Sequence, residues 1–316
     1  MTTLSTALTE TLFSEHRQFL WGLCYRLTGN AADADDIMQD TFVRAMERPP
    51  ADRAAPWRPW LVRVALNLGR DVLRRRKRRG YVGPWLPSPI DTGDEVSPPS
   101  YEPTFAGGMS TERRYDLLES VTFAFLIALE ALSPRQRAIL LLRDVFDYSV
   151  QDTAAALDLS EANVKTSLHR ARRAMHAYDQ SRCLPTRTLQ QQTRHALDGF
   201  LQGLFSRDIN KLESLLVADT RLVSDGGGEF RAALKPIVGC DKILRFHMKA
   251  VEHARPLARI VVRMCNGLPA LVFEYADSRP GEATRFVYTA NVDREGRITE
   301  LHAVLASRKL TGVLLG

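Results

Sequence analysis

A strongly basic segment between residues 57 and 79 has the clearest chemistry in the sequence. It reads WRPWLVRVALNLGRDVLRRRKRR and holds nine Lys/Arg against one Asp, a larger positive surplus than the +6 of the whole chain. Guanidinium and ammonium groups clustered at the end of a helix bind the phosphates of nucleic acids. The segment therefore predicts a nucleic-acid-binding helix. The alternative is a solvated basic helix end, where cations also complement the helix dipole.

A second basic surface is predicted between residues 148 and 178. A short helix over about Val150–Leu157, a cap at Ser160 and a longer helix from Glu161 are typical of a helix-turn-helix. Small and apolar residues would form its shared core: Ala154, Ala155, Leu157, Leu159, Val164 and Leu168. The outer face of the longer helix could enter a DNA major groove. That face carries Lys165, Thr166, His169, Arg170 and Arg173. The alternative is an ordinary helical hairpin with a solvated basic face.

An acidic helix face lies upstream of both basic segments. In ADADDIMQDTF, Asp36, Gln39 and Asp40 recur at helical spacing, with Asp35 beside them. Clustered carboxylates would repel DNA, so this face is expected to bind a basic protein surface. A solvated acidic helix is the alternative.

A proline-flanked aromatic segment and a glycine-rich turn form the fourth candidate. The prolines on either side of the segment reduce the entropy that it loses on docking. Consecutive glycines allow positive φ angles and the close approach of another segment. We therefore expect the first segment to dock on the second, a plain hairpin turn being the alternative. The residues assigned to this contact are Trp85, Leu86, Pro87, Asp225, Gly226, Gly227 and Gly228.

The elements that would position these residues change along the chain. Helical periodicity covers residues 10–82, and prolines and glycines then predict a linker over 83–112. Helical patterning resumes over 113–180. Residues 190–316 start with one predicted helix, His195–Leu216, and continue as strand-like runs, which predicts an α+β domain with mostly antiparallel strands. The predicted buried stripe of the basic helix is Trp60, Leu61, Val64, Leu68 and Val72.

Composition narrows the function classes. The 316 residues have the apolar and charged fractions of a globular protein. The start lacks a basic stretch followed by an apolar run, and no window resembles a membrane span, so we expect a cytoplasmic protein without membrane contact. The four cysteines are scattered singly, without the spacing of zinc ligands. We therefore expect no metal and no cofactor.

The order of these motifs resembles that of an extracytoplasmic-function (group IV) sigma factor of bacterial RNA polymerase. YRLTGNAADADDIMQDTFVRA and the basic segment look like sigma region two, and LSPRQRAILLLRDVFDYSVQDTAAALDLSEANVKTSLHRARRAM looks like region four. Thr153 stands where the family usually has isoleucine. YVGPWLP and SDGGG resemble the signatures of members with a C-terminal SnoaL-like (NTF2-type) domain. In those signatures Glu229 replaces a common lysine, and ASRKL replaces NPDKL.

The resemblance implies a role for each surface. Asp35, Asp36, Gln39 and Asp40 would contact the clamp helices of the polymerase largest subunit. The −10 promoter element would be bound by Arg63, Asn67, Arg70, Arg74, Arg75 and Arg76, with Asn67 at the position that holds a flipped base. The −35 element would be read by Lys165, Thr166, His169, Arg170 and Arg173. The implied fold is two all-α domains followed by a cone-shaped α+β domain, which would regulate the factor in place of a dedicated anti-sigma factor.

Two other functions remain open from the residues. An enzyme would need its polar groups to converge in one pocket of the C-terminal domain, and their spacing does not show this. The candidates are Asp225, His247, His253, Tyr275 and Tyr288. A pocket that binds a small ligand of unidentified chemistry without turnover fits the concave fold better. A dimeric helix-turn-helix regulator would explain residues 160–174 but not the acidic face, so we expect a transcription initiation factor and not an enzyme.

Overall fold

The first three helices are separated by residues that end or cap a helix. The structure, a computed structural model, describes residues 6–52, 54–93, 114–253 and 255–313, with side chains from residue 10 onward. Helix α1 (Thr6–Thr28) stops before Gly29, which has a φ of +67°. Asn30 caps α2 (Ala31–Glu47) by accepting a hydrogen bond from the Asp33 backbone N–H at 3.1 Å. Helix α3 (Trp57–Arg79) is the predicted basic helix.

The buried stripe of α3 differs from the predicted one. Of the predicted set only Leu61 is fully buried, and the other four residues are half-buried. Helix α3 packs on α1 and α2 through its small residues, since a Cβ on Gly69 would lie 2.4 Å from Leu27 Cδ2. This close approach decides which side of α3 is buried. The buried residues of α3 are Trp57, Leu61, Val62, Ala65, Leu66, Gly69 and Leu73.

The second group of helices contains the helix-turn-helix. Ser133 and Gln136 form a reciprocal capping box at the start of α5. Ala155 was wrongly placed in the shared core, because it is exposed and Ala156 is buried instead. The α-helices between 114 and 183 are α4 (Phe123–Ala128), α5 (Pro134–Leu140), α6 (Val150–Leu157), α7 (Glu161–Ala174) and α8 (His176–Gln180).

The described residues form two compact units. The first contains 6–79 and 114–183, and the second contains 80–93 and 184–313. Within the first unit, the buried Arg26 of α1 donates to Ser120 Oγ at 2.7 Å and to the Leu117 carbonyl at 2.9 Å. The two groups of helices are therefore joined by buried polar contacts. Within the described ranges, every helix is too short or too polar to cross a lipid bilayer.

The second unit begins with two helices where one was predicted. Helix α9 (Arg187–Ser206) ends at Arg207, which has a left-handed φ of +55°, and Asp208 caps α10 (Ile209–Leu215). Neither glycine nor proline marks this break, so the single predicted helix over 195–216 was wrong. Helix α11 (Cys240–Glu252) lies between the second and third strands.

A curved set of six strands completes the second unit. Their order is β2-β1-β6-β5-β4-β3, and only the β1–β6 pair is parallel among the described strands. Helices α9 and α11 pack on one sheet face and enclose the apolar core. The strands are β1 (Leu216–Asp225), β2 (Ile237–Val238), β3 (Leu257–Cys265), β4 (Leu268–Tyr275), β5 (Arg285–Val292) and β6 (Ile298–Val304). The predicted architecture, helical domains followed by an α+β domain with mostly antiparallel strands, is confirmed.

Part of the predicted linker belongs to this second unit. Residues 80–93 lie along the sheet, and the rest of the linker, 94–112, lies outside the described residues. Thr92 donates its backbone N–H to the Met264 carbonyl at 2.8 Å, at the end of β3. Ile90 and Asn266 form two hydrogen bonds. The Ile90 N–H donates to the Asn266 side-chain oxygen, and the Ile90 carbonyl accepts from the Asn266 backbone N–H. These contacts order the linker from its start to at least Gly93.

Candidate functional site

The acidic face of α2 is exposed over three of its four predicted residues. Asp36, Gln39 and Asp40 lie on one side of the helix, opposite the buried Ile37 and Phe42. Their charge is accessible to a partner, as a protein-docking face requires.

Asp35 does not share that exposure. It is half-buried and accepts a hydrogen bond at 2.7 Å from Trp21 Nε1 of α1. Burial raises the pKa of Asp35, and the Trp21 hydrogen bond lowers it in part. The structure therefore brings Asp35 into the contact between α1 and α2, where it supports the helix that presents the other three residues.

The basic helix α3 presents most of its predicted residues on one face. Arg63, Asn67, Arg70 and Arg74 follow one another at intervals of four, three and four residues, and Arg75 is exposed beside them. The Asn67 side-chain oxygen accepts a hydrogen bond from Arg70 Nη1 at 3.3 Å, and Arg74 pairs with Asp71 at 3.0 Å. This face combines cations with a polar amide that could bond to a base.

Arg135 was missed by the sequence reasoning and adds charge to this face. Burial lowers the pKa of Arg70, and the nearby positive charges of Arg74 and Arg135 lower it further. Arg135 is exposed in the first turn of α5, more than fifty residues after the basic segment. Only the packing of α5 against α3 brings them together.

Arg76 points away from the other basic residues of α3. It donates to both carboxylate oxygens of Glu130, at 2.8 and 2.6 Å, and to the Thr28 carbonyl at 3.1 Å. Glu130 also accepts from Arg137 at 2.8 Å, and Arg137 is 3 % exposed. Burial lowers the pKa of Arg137, an effect that the charge of Glu130 opposes. The carboxylate of Glu130 thus binds one arginine from each helical group.

The helix-turn-helix presents its predicted reading face to solvent. The five residues predicted on α7 are all exposed, whereas Val164, Leu168 and Ala171 on the opposite side are buried. Ser160 caps α7 by accepting from the Asn163 N–H at 3.3 Å. Arg172 fixes the helix by donating to both oxygens of Asp144, at 3.0 and 2.6 Å. The geometry therefore holds α7 firmly with its basic side outward.

The linker and the glycine turn meet at Asp225. Its buried carboxylate accepts hydrogen bonds from the Leu86 backbone N–H at 2.7 Å and from the Tyr81 hydroxyl at 2.6 Å. Lys309 is 2 % exposed, pairs with Asp225 at 2.5 Å and donates to the Leu86 carbonyl. We call this set of residues the linker clasp: Tyr81, Leu86, Asp225 and Lys309.

Close packing explains the glycines beside the clasp. A Cβ on Gly227 would lie 2.8 Å from Ala306 Cβ, and one on Gly228 would lie 3.2 Å from Val82 Cβ. Both have positive φ, of +62° and +75°. Trp85 lies over the Lys309 ammonium, with the nitrogen 4.5 Å from the ring centroid. The predicted segments are thus brought together within one unit.

The sequence reasoning missed Tyr81 and Lys309, although both lie in quoted motifs. Tyr81 begins YVGPWLP, and Lys309 is the basic residue of ASRKL. The two departures from the family pattern also meet here, since Glu229 accepts from the Ser307 hydroxyl at 2.7 Å and from its N–H at 3.0 Å. These bonds join the glycine turn to the turn that carries Lys309.

The enzyme candidates do not form a catalytic arrangement. His247, His253, Tyr275 and Tyr288 line one cavity, but Asp225 lies in the linker clasp. The carboxylate that does line the cavity, Glu282, pairs with Arg255 at 3.3 Å. Among the described residues, no group of three or more His, Cys, Asp or Glu side chains could hold a metal ion.

Comparisons with known proteins agree with the layout of these surfaces. The family model for Sigma-70 region 2 matches residues 12–79, and that for Sigma-70, region 4, matches residues 123–175. The extracytoplasmic-function RNA polymerase sigma factor SigJ of Mycobacterium tuberculosis is 30% identical over 308 residues, which cover 95% of this chain and 92% of the relative. The crystal structure of that SigJ has a TM-score of 0.69 at 25% identity, covering 97% of this chain and 100% of the other.

A sigma factor solved with a protein inhibitor is a more distant match. The structure of RpoE in complex with the anti-sigma factor NepR from Bartonella quintana covers 56% of this chain at 20% identity, with a TM-score of 0.39. The expectation that this chain lacks a dedicated anti-sigma factor is not supported by these matches and stays a prediction.

Proposed function

We propose how the surfaces of this chain divide the work of transcription initiation, on the premise that it belongs to the extracytoplasmic-function RNA polymerase sigma factors. As such a factor it binds core RNA polymerase and directs transcription from promoters. The exposed face of α2 would bind the clamp helices of the largest subunit. The face of α3 around Asn67 would bind the opened −10 element, and α7 would read the −35 duplex.

Charge and exposure support this division. Three of the four residues proposed to bind polymerase are exposed, and two of these three are carboxylates; six of the eleven residues proposed to bind DNA are exposed Lys or Arg. DNA is a polyanion and therefore binds favourably only to the basic surfaces. A regulator that binds duplex DNA as a dimer would leave the acidic face of α2 and the amide of Asn67 without a role.

We also propose that the SnoaL-like domain regulates the factor in cis through the linker clasp. The observation that carries this proposal is the Asp225 carboxylate, which binds the linker at both Tyr81 and Leu86. Tyr81 follows Arg79, the last residue of α3, by two positions. Release of the clasp would therefore lengthen the unattached chain between the −10 helix and the SnoaL-like domain. Regulation of this kind requires no dedicated anti-sigma factor.

The test is promoter-dependent run-off transcription with core polymerase and Asp225→Asn. This substitution keeps the side-chain shape but leaves the buried Lys309 ammonium without its counter-charge, so the clasp should open. Asp219→Asn, at an exposed position on the same strand, is the matched control. We expect Asp225→Asn to change either the transcript yield or the affinity for core polymerase, with Asp219→Asn at the wild-type level. If both quantities stay unchanged in a folded Asp225→Asn protein, regulation through the clasp is wrong.

A further inference from the structure

The SnoaL-like domain has a cavity, partly open to solvent, that the transcription functions leave unused. Its volume is about 280 Å³, and its wall is formed by α11, β1, β4, β5 and β6 together with loop residues. The wall is mainly apolar, with Leu222, Phe246, Phe286 and Ala303 among its residues. Small-molecule sites have volumes of roughly 300–1,000 Å³ and an apolar lining with few polar groups. The cavity therefore has the size and lining of a site for a compact organic molecule.

The cavity wall includes a hydrogen-bonded pair, His247 and Tyr288, in which the donor can be assigned. His247 is buried, and its Nδ1 lies 2.8 Å from the Ile243 carbonyl, which can only accept, so Nδ1 carries the proton. Its Nε2 lies 2.7 Å from the Tyr288 hydroxyl. Burial lowers the pKa of His247 to about 4, so the ring is neutral near pH 7 and Nε2 accepts the hydroxyl proton. Tyr288 Oη is left with acceptor capacity alone.

Of the two arginines that line the cavity, Arg231 is exposed to solvent and Arg255 is already neutralised. Arg255 pairs with Glu282 at 3.3 Å and with Asp277 at 3.5 Å, and it donates to the carbonyls of Asp277 and Ala283. Its guanidinium lies over the Tyr275 ring, 3.8 Å from the centroid. These partners occupy the donors that would otherwise bind an anion. A second carboxylate in the cavity would meet negative charge.

We propose that this cavity binds a small, uncharged and largely apolar molecule with one hydroxyl or N–H group, which donates to Tyr288 Oη. The apolar wall supplies most of the affinity by removing the molecule from water. The Tyr288 acceptor selects for a donor, because an apolar molecule without one leaves that oxygen with an unused lone pair.

The position of the cavity also links it to the linker clasp. Ser224 and Leu305 line the cavity, and Asp225 lies between them in space, since its carbonyl accepts from the Leu305 N–H at 2.8 Å. Along β1, Ser224 faces the cavity and Asp225 faces the linker, as alternate residues of a strand do. If the clasp regulates transcription as proposed above, a molecule in the cavity would affect the clasp directly, because Ser224 in the cavity wall is joined to Asp225 by one peptide bond.

Binding to the purified full-length chain tests the site without polymerase. Three matched probes differ in one group: 2-naphthol has a donor, 2-methoxynaphthalene lacks it, and 2-naphthoate carries a negative charge. In isothermal titration calorimetry we expect one molecule of 2-naphthol per chain, with the methoxy analogue roughly three- to tenfold weaker because it cannot donate. We expect 2-naphthoate to be the weakest of the three.

Two variants locate the probe. Tyr288→Phe/His247→Leu, which removes both acceptors of the pair, should bind both neutral probes equally, whereas Tyr81→Phe, which loses a hydroxyl in the clasp, should keep the preference for 2-naphthol. Ala303→Leu fills the cavity and should abolish binding, and Ala232→Leu does the same from the loop wall if the strand variant fails to fold. The proposal is overturned if 2-naphthol fails to saturate, if the anion binds best or if the filled cavity still binds. Binding without an effect of Asp225→Asn on transcription would instead reject only the regulatory clasp.

Discussion

Arg76 of the basic helix and Glu130 of the second helical group form a two-oxygen ion pair, with nitrogen–oxygen distances of 2.8 and 2.6 Å. The same carboxylate binds the buried Arg137. Arg76 is one of the residues proposed to bind the −10 element. While it is paired with Glu130, its charge is not available to a phosphate.

Glu130→Gln should therefore have two opposite effects. It leaves Arg137 buried without a counter-charge, so the free energy of unfolding should fall by about 1–2 kcal/mol, less than for a fully buried pair because Glu130 is partly exposed. It also releases Arg76, so affinity for single-stranded −10 DNA should rise a few-fold. Denaturant melts and fluorescence anisotropy measure the two effects. Glu161→Gln, whose exposed pair with Lys165 spans 4.0 Å, should change neither. Lower DNA affinity in Glu130→Gln would contradict the competition.

The acidic face predicts a loss of polymerase affinity on charge reversal. Asp36→Arg/Asp40→Arg should weaken binding to core polymerase at least tenfold, because it sets like charges against the basic surface expected on the partner. Glu15→Arg, at an exposed position on α1, should stay within about twofold of wild type. Surface plasmon resonance with immobilised core enzyme measures both constants. Equal affinities for the two variants would remove α2 from the interface.

The reading face of α7 predicts a sequence-dependent loss. Arg170→Ala should weaken binding to the −35 duplex of a transcribed promoter by about 1–3 kcal/mol if its guanidinium bonds to a base, and by less if it contacts phosphate alone. Arg172→Ala is the structural contrast, since it leaves the buried Asp144 without its partner and should lower the melting temperature. Anisotropy titrations at two salt concentrations, with matched and altered duplexes, separate the outcomes. A loss that is the same for every duplex would make Arg170 a phosphate contact.

Removal of the Thr153 hydroxyl is predicted to stabilise the protein. The Thr153 side chain is fully buried in α6, and its hydroxyl has no hydrogen-bond partner within the described part of the chain. Thr153→Val removes this unsatisfied group at nearly constant volume, so the free energy of unfolding should rise by about 1 kcal/mol. Thr41→Val is the matched control, because the buried Thr41 hydroxyl donates to the Ile37 carbonyl at 2.8 Å and its loss should not stabilise. Urea melts of both variants decide the point, and a less stable Thr153→Val would show that its hydroxyl is satisfied.

His247 predicts acid sensitivity of the SnoaL-like domain. Burial lowers its pKa in the folded state to about 4, from the ordinary histidine value of 6.5, so the unfolded chain binds more protons between these values. Stability should therefore fall as pH drops below 6.5, by about 2 kcal/mol between pH 7 and pH 5. His247→Gln should flatten this part of the profile, and His253→Gln, at an exposed position, should not. An unchanged slope in His247→Gln would assign the sensitivity to other groups.

Local signals predicted the helix-turn-helix well. The helix cap at Ser160 and the apolar spacing of α7 involve only residues a few positions apart, so both can be recognised in the sequence alone. The stripe of α3 was misplaced because the close approach of Leu27 to Gly69 decides which side is buried. The break at Arg207 was missed because an arginine there adopts a conformation more common for glycine. These errors arise from tertiary packing, which periodicity alone does not report.

The functional residues show the same difference between local signals and tertiary packing. Trp85, Leu86 and the glycine turn were identified through motifs, but Lys309 and Glu130 were not. Each of these two residues acts through a partner more than fifty positions away. Such a partner leaves no spacing signal in a single sequence.

The prolines of the linker set its alignment on the sheet. Backbone N–H groups of Leu86 and Ile90 bind the side chains of Asp225 and Asn266, while Pro87 and Pro89 have no N–H to offer. Sliding the segment by one residue in one direction would place Pro87 opposite Asp225, and sliding it the other way would place Pro89 opposite Asn266. Either slip forfeits a donor at one of the two anchors, so the prolines oppose both one-residue shifts of the segment whatever side chains stand at 86 and 90.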